Sequence, residues 1–205
     1  MDSLVRKKYC DALEEYDNKN FEKAFNMLFE LAEQGISKAQ MEIGYMLYDG
    51  DGVKKNIENA LYWFKKNIED NSEAIRMVGW CYLKLDQNEK GKEYFKKAVE
   101  LNNMDAYDNV GYFYDMGEYG YKIDKQKALK YYTKSCSSGL KSSCINLTKL
   151  LEELNYDRVK YIQEEIGLIL FMRTLSRGKI LNMLGYTIKC FLKSLRRSEN
   201  VLAHS

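Results

Sequence analysis

A short block recurs three times without gaps: KAQMEIGYML at 38–47, EAIRMVGWCY at 73–82 and DAYDNVGYFY at 105–114. Each copy holds an alanine (Ala39, Ala74, Ala106), an aliphatic residue four positions on (Ile43, Val78, Val110), then a glycine (Gly44, Gly79, Gly111), with Leu47, Tyr82 or Tyr114 three further along. Steps of three and four put these residues on one face of a helix. Glycine lowers helix propensity by about 1 kcal/mol relative to alanine. Its recurrence therefore predicts a close helix-to-helix approach where no side chain fits.

A second block follows each first one: ALYWFKKNI at 60–68, GKEYFKKAV at 91–99 and ALKYYTKSC at 128–136, each with a small residue first and paired aromatics inside. AFNMLFELA at 24–32 is the same block one unit earlier, and SSCINLTKLL at 142–151 is a fading first block, with Ser143, Leu147 and Thr148 in the alanine, aliphatic and glycine places. From Ala39 to Ala74, Ala106 and Ser143 the steps are 35, 32 and 37 residues. Helix pairs at this period bury their apolar faces only by stacking, so an all-α solenoid of antiparallel helix pairs is expected, wound as a right-handed superhelix. Residues 1–152 are expected to form about four repeat units and 153–205 a C-terminal helical extension that caps them. Between the blocks, Gly50 and Gly117 suit a left-handed helix C-terminus, Asn56 and Asp124 suit N-caps, and Ser37 with Gln40 has capping-box spacing.

Composition removes most alternatives. A chain of 205 residues with 45% hydrophobic and 30% charged residues and a net charge of +2 is neither disordered nor a strongly basic nucleic-acid binder. Proline is absent, so no segment is forced out of a helix. The single histidine, His204, is penultimate, which leaves a Ser-His-Asp triad or an HExxH zinc site without its base or ligands. No metal or cofactor site is expected. The loop around Asp49 and Asp51 fails as a calcium loop, because Lys54 stands where the turn glycine is needed. No signal peptide and no apolar run near the roughly 20 residues of a membrane span are evident, so a cytoplasmic location with reduced thiols is expected.

The pattern Ala-x3-aliphatic-Gly-x2-Tyr/Leu, followed by G-x-G-V before a second helix, resembles the Sel1-like repeat family of the tetratricopeptide superfamily. Ala39, Ile43, Gly44 and Leu47 with Gly50, Gly52, Val53 and Ala60 carry the fullest match. The resemblance implies a scaffold or adaptor that binds a protein or peptide partner, not a small-molecule substrate, with the first helix of each pair lining a concave groove. The residue after each repeated glycine is aromatic: Tyr45, Trp80 and Tyr112. These rings are candidates for a binding ladder, tuned by Lys38, Arg76, Lys84, Asp105, Asp108 and Asp115. The alternative is that they pack between adjacent repeats. Cys136 and Cys144 resemble in spacing the disulfide-bearing, secreted members of the family, some of which are linked to β-lactam binding or hydrolysis. Without an export signal the pair reads first as two reduced, partly buried thiols, with a disulfide as the alternative, and Cys10, Cys81 and Cys190 as small core fillers.

Charge divides the chain. Through Glu165 there are 25 basic and 29 acidic residues; after it, 7 basic and 1 acidic. Ile180, Leu184, Ile188, Phe191 and Leu195 share a helical face, with Lys179, Lys189, Lys193, Arg196 and Arg197 among the polar positions. Such a basic amphipathic helix caps the last repeat, or meets an anionic membrane surface or acidic partner. Nucleic acid is not an expected partner, since no nucleic-acid-binding motif is present.

Overall fold

The computed structural model describes residues 2–69 and 71–154. The basic residues Lys179, Lys189, Lys193, Arg196 and Arg197 and the proposed cap therefore lie outside the described residues. Within them there are nine helices and no strand: α1 (Ser3–Asp17), α2 (Phe21–Glu33), α3 (Ser37–Asp49), α4 (Ile57–Lys65), α5 (Ser72–Lys84), α6 (Asn88–Glu100), α7 (Met104–Met116), α8 (Lys125–Cys136) and α9 (Lys141–Glu153). Helices α3, α5, α7 and α9 carry the first block and α2, α4, α6 and α8 the second. The described residues fall into two units, one ending at Ala128 and the other beginning at Leu129.

In the first unit each helix packs on the next, from α1 to α7, which makes it a stacked helix-pair solenoid. The repeated alanines Ala39, Ala74 and Ala106 are fully buried, as are Ile43 and Val78. The glycines do what their recurrence predicts. A Cβ on Gly44 would lie 2.6 Å from the Phe64 ring, and one on Gly79 would lie 3.0 Å from the Phe95 ring. In these two repeats the last aromatic of the second block seats on the glycine of the preceding helix. Phe64 and Phe95 are completely buried as a result, each contributing roughly 1.5–3 kcal/mol of apolar burial.

The helix ends are chemically explicit. Gly50 (φ 91°) and Gly117 (φ 73°) close α3 and α7 in the left-handed conformation open to glycine without a side-chain clash. Asn56 accepts from the Asn59 backbone N–H at 2.8 Å, and Asp124 from that of Lys127 at 3.0 Å. The Ser37–Gln40 capping box does not form. Ser37 is the first helical residue and makes no capping bond, while Gln40 turns inward to donate to the Ala32 carbonyl and accept from Asn67 Nδ2. Gln40 is buried, and a buried amide must find partners; the Ala32 carbonyl at the end of α2 supplies one.

In the second unit the described residues contain a polar joint between α8 and α9. Ser143 stands in the alanine place and donates to Ser135 Oγ at 2.7 Å, both hydroxyls fully buried. Hydroxyl pairing lets serine occupy a position that is alanine elsewhere, since neither oxygen is left unsatisfied.

Candidate functional site

The first helices are joined sideways by polar side chains that cross from one repeat to the next. Tyr9 on α1 donates to Glu42 on α3 at 2.9 Å, and Tyr16 donates to Asp51 just beyond α3 at 2.5 Å. Tyr45 on α3 donates to Glu73 on α5 at 2.8 Å. Trp80 Nε1 and Arg76 Nη1 on α5 both donate to Asn109 Oδ1 on α7, at 3.2 and 3.1 Å. The same arrangement recurs at the three joints from α1 to α7: an aromatic donor on one first helix, an oxygen acceptor on the next. Helical spacing explains it for Tyr45 and Trp80, because the residue after the glycine sits one step round from the buried stripe and faces the neighbouring repeat.

The α3–α5–α7 joint is the most heavily bonded. Arg76 holds Glu73 through both Nε and Nη2, and Asn103 adds bonds to Glu73 and Ser72. Burial alone would raise the Glu73 pKa. The Arg76 guanidinium, with donors from Tyr45 and Asn103, outweighs burial and holds the carboxyl below the ordinary glutamate value. Burial first, then the neighbouring carboxylates, push the Tyr9 and Tyr45 hydroxyls well above the usual phenol range, so both remain proton donors.

Of the sequence-selected groove residues, Tyr45 and Trp80 are half-buried and engaged between repeats. Tyr45 lies edge-on to Phe64, and Trp80 lies edge-on to Phe95, Phe113 and Tyr119. Tyr112 differs: it is 37% exposed and its hydroxyl turns to Glu118 of its own repeat. Lys38, Lys84 and Asp105 are exposed, Asp108 is half-buried, and Asp115 is buried in a 2.8 Å ion pair with Lys125. Tyr112 and Met116, one turn apart on α7, are both exposed. The Sel1 repeat model matches residues 37–69, 72–103 and 105–140. The chain belongs to the Sel1-repeat family.

Among curated proteins, this Sel1-repeat chain is 34% identical over 110 residues to the ERAD-associated E3 ubiquitin-protein ligase component HRD3B of Arabidopsis thaliana, covering 51% of this chain and 17% of that protein. It is 29% identical over 106 residues to the Protein CTR9 homolog of the same plant, covering 50% and 8%. The chain thus spans less than a fifth of either relative. Among solved structures it is similar to a Sel1 repeat protein from Oxalobacter formigenes (TM-score 0.56, 26% identity, 68% of this chain and 58% of that one). It also resembles c5321 of uropathogenic Escherichia coli (TM-score 0.55, 24% identity, 80% and 39%), a likeness of fold. Sel1-repeat proteins are in general non-catalytic scaffolds for protein interaction.

Two cysteine expectations are corrected. Cys136 and Cys144 are joined in a disulfide instead of standing as thiols. The short turn between α8 and α9 brings their Cα atoms to 4.6 Å, inside the range a disulfide spans. Cys10 is exposed and not a core filler, because the packed face of α1 runs through Val5, Tyr9, Ala12 and Tyr16 and Cys10 falls beside it. Cys81 is buried as expected, and burial pushes its thiol up to about 12. Cys190 lies outside the described residues. Sequence reading also missed the caps Asn71 and Asn103, which accept from the opening N–H groups of α5 and α7. An asparagine three residues before Ala74 and before Ala106 was the available signal. No helix among the described residues is long and apolar enough to cross a membrane.

Proposed function

We propose that this Sel1-repeat chain is a scaffold that holds a segment of a protein partner along the face formed by α1, α3, α5 and α7. The observation that carries the reading is the sideways locking of these helices by Tyr9–Glu42, Tyr45–Glu73 and Trp80–Asn109. A face fixed in this way presents its remaining side chains already ordered, so a partner binds without the entropy loss of arranging them. Tyr112 and Met116 supply an exposed apolar contact on that face, and Lys38, Lys84 and Asp105 supply charges around it. HRD3B, a relative over half of this chain, is by its name one component of a ligase, which agrees with a role inside an assembly.

The test compares Tyr112→Ser with Trp80→Ser in the tagged full chain, each checked by circular dichroism before capture from native lysate. Tyr112→Ser keeps the wild-type melting curve and loses captured protein, whereas Trp80→Ser melts earlier. Full capture by a well-folded Tyr112→Ser chain counts against this face. A second reading, recruitment to an anionic membrane through residues 166–198, is favoured by seven basic residues and no acidic one in that stretch.

A further inference from the structure

One joint in the row of first helices is incomplete. At the α3–α5 joint a tyrosine hydroxyl and a guanidinium converge on a single carboxylate: Tyr45 and Arg76 on Glu73. At the α1–α3 joint Tyr9 donates to Glu42 in the same way, but no cation completes the set. In the gap-free alignment of the repeats, the places of Glu73 and Arg76 are taken on α3 by Lys38 and Met41, so the acceptor Glu42 stands one turn beyond the place of Glu73 and no arginine accompanies it. Lys38 stands one turn before Glu42, yet no ion pair joins them. What remains is a cavity of about 360 Å³ lined by Tyr9, Met41, Glu42, Tyr45 and Asn71, with Lys38 among its walls.

We infer that this cavity is the seat of an arginine side chain belonging to the bound partner segment, with Glu42 as its counter-ion. The inference rests on the reading of the first-helix face as the partner surface. Three features of the cavity select a guanidinium. A half-buried carboxylate with one neutral hydrogen bond retains lone pairs for a bidentate pair, which is stronger and more directional than a neutral contact. Two tyrosine rings line the same space, and aromatic faces attract a planar cation. The Met41 thioether is a soft apolar wall for the methylene stem. Charge on the face points the same way. Helices α1, α3, α5 and α7 together carry ten acidic residues against six basic ones, so a cationic segment is drawn toward them. One repeat away, at a different register position, the protein itself pairs a tyrosine-bonded glutamate with an arginine, Arg76 on Glu73.

The test is a titration of the full 205-residue chain with N-acetyl-arginine methylamide, followed by amide chemical shifts in NMR, beside the neutral citrulline derivative and the lysine derivative. Saturating shifts centred on Tyr9, Glu42 and Tyr45 are expected with the arginine derivative. Binding about tenfold or more weaker is expected for citrulline, and the same loss for Glu42→Gln, which keeps an acceptor for Tyr9 and so the fold. Equal binding of citrulline, or an unchanged titration in a Glu42→Gln chain that melts like wild type, overturns the seat. Lysine binding as tightly as arginine overturns the guanidinium assignment. If the arginine derivative fails while Tyr112→Ser still abolishes capture, the seat alone is wrong; if both fail, the partner face is wrong as well.

Discussion

Gly44 and Gly79 hold the same place in consecutive repeats, yet the space above them differs. The Phe64 ring stands 2.6 Å from where a Gly44 Cβ would be, and the Phe95 ring 3.0 Å from that of Gly79. Both rings are fully buried and have nowhere to move. Overpacking costs about 1–3 kcal/mol, while alanine regains about 1 kcal/mol of helix propensity. Gly44→Ala should therefore lose about 1–2 kcal/mol in urea unfolding and Gly79→Ala visibly less; equal or stabilising effects would contradict the packing account. Glu73 makes a prediction in pH. Its folded-state pKa is depressed, so its contribution is present above the ordinary glutamate value of about 4.3 and is lost as the pH falls through the folded value. Urea midpoints of wild type should fall on acidification through that window. Glu73→Gln should start lower at neutral pH and change less, because no charge is left to titrate against Arg76.

Caps and stacking were readable at the level of the element because they are local. Gly50, Gly117, Asn56 and Asp124 do their work within a few residues of their own helix ends. Gln40 was misread because its partners, the Ala32 carbonyl and Asn67, lie 8 and 27 residues away, and no local pattern announces them. The cross-repeat bonds of Tyr9, Tyr45 and Trp80 were equally hidden. Periodicity shows which residues share a face, but not which side of that face meets the next repeat. The α8–α9 disulfide needed both a distance and a redox state; the spacing of Cys136 and Cys144 resembled that of disulfide-bearing members of the family, but the redox state was not legible in the sequence. A loop this short predicts that breaking the bond costs about 2–3 kcal/mol. Reduction, or Cys144→Ser, should thus speed amide hydrogen exchange in α8 and α9; unchanged exchange would show that the Ser135–Ser143 contact suffices.

At the scale of the whole molecule, the covalent joint and the expected cytoplasmic location pull against each other, since disulfides persist in oxidising surroundings. Non-reducing mass mapping of the chain from its native cells should recover a linked Cys136–Cys144 peptide, and free thiols there would contradict the joint. The basic stretch 166–198 makes its own prediction: if it meets anionic membranes, sedimentation with acidic liposomes at low salt disappears at high salt. Salt-independent sedimentation, or none, would remove the membrane reading. The central claim, that the first-helix face receives a protein partner, is tested most directly by site-specific photocrosslinking in the full chain. Crosslinkers at Lys38 and Tyr112 sit on α3 and α7, while one at Tyr62, which is 56% exposed on α4, sits on a second helix as the control. Adducts to the same partner from Lys38 and Tyr112 but not from Tyr62 are predicted. Adducts from Tyr62 alone, or equally from all three positions, would contradict the account.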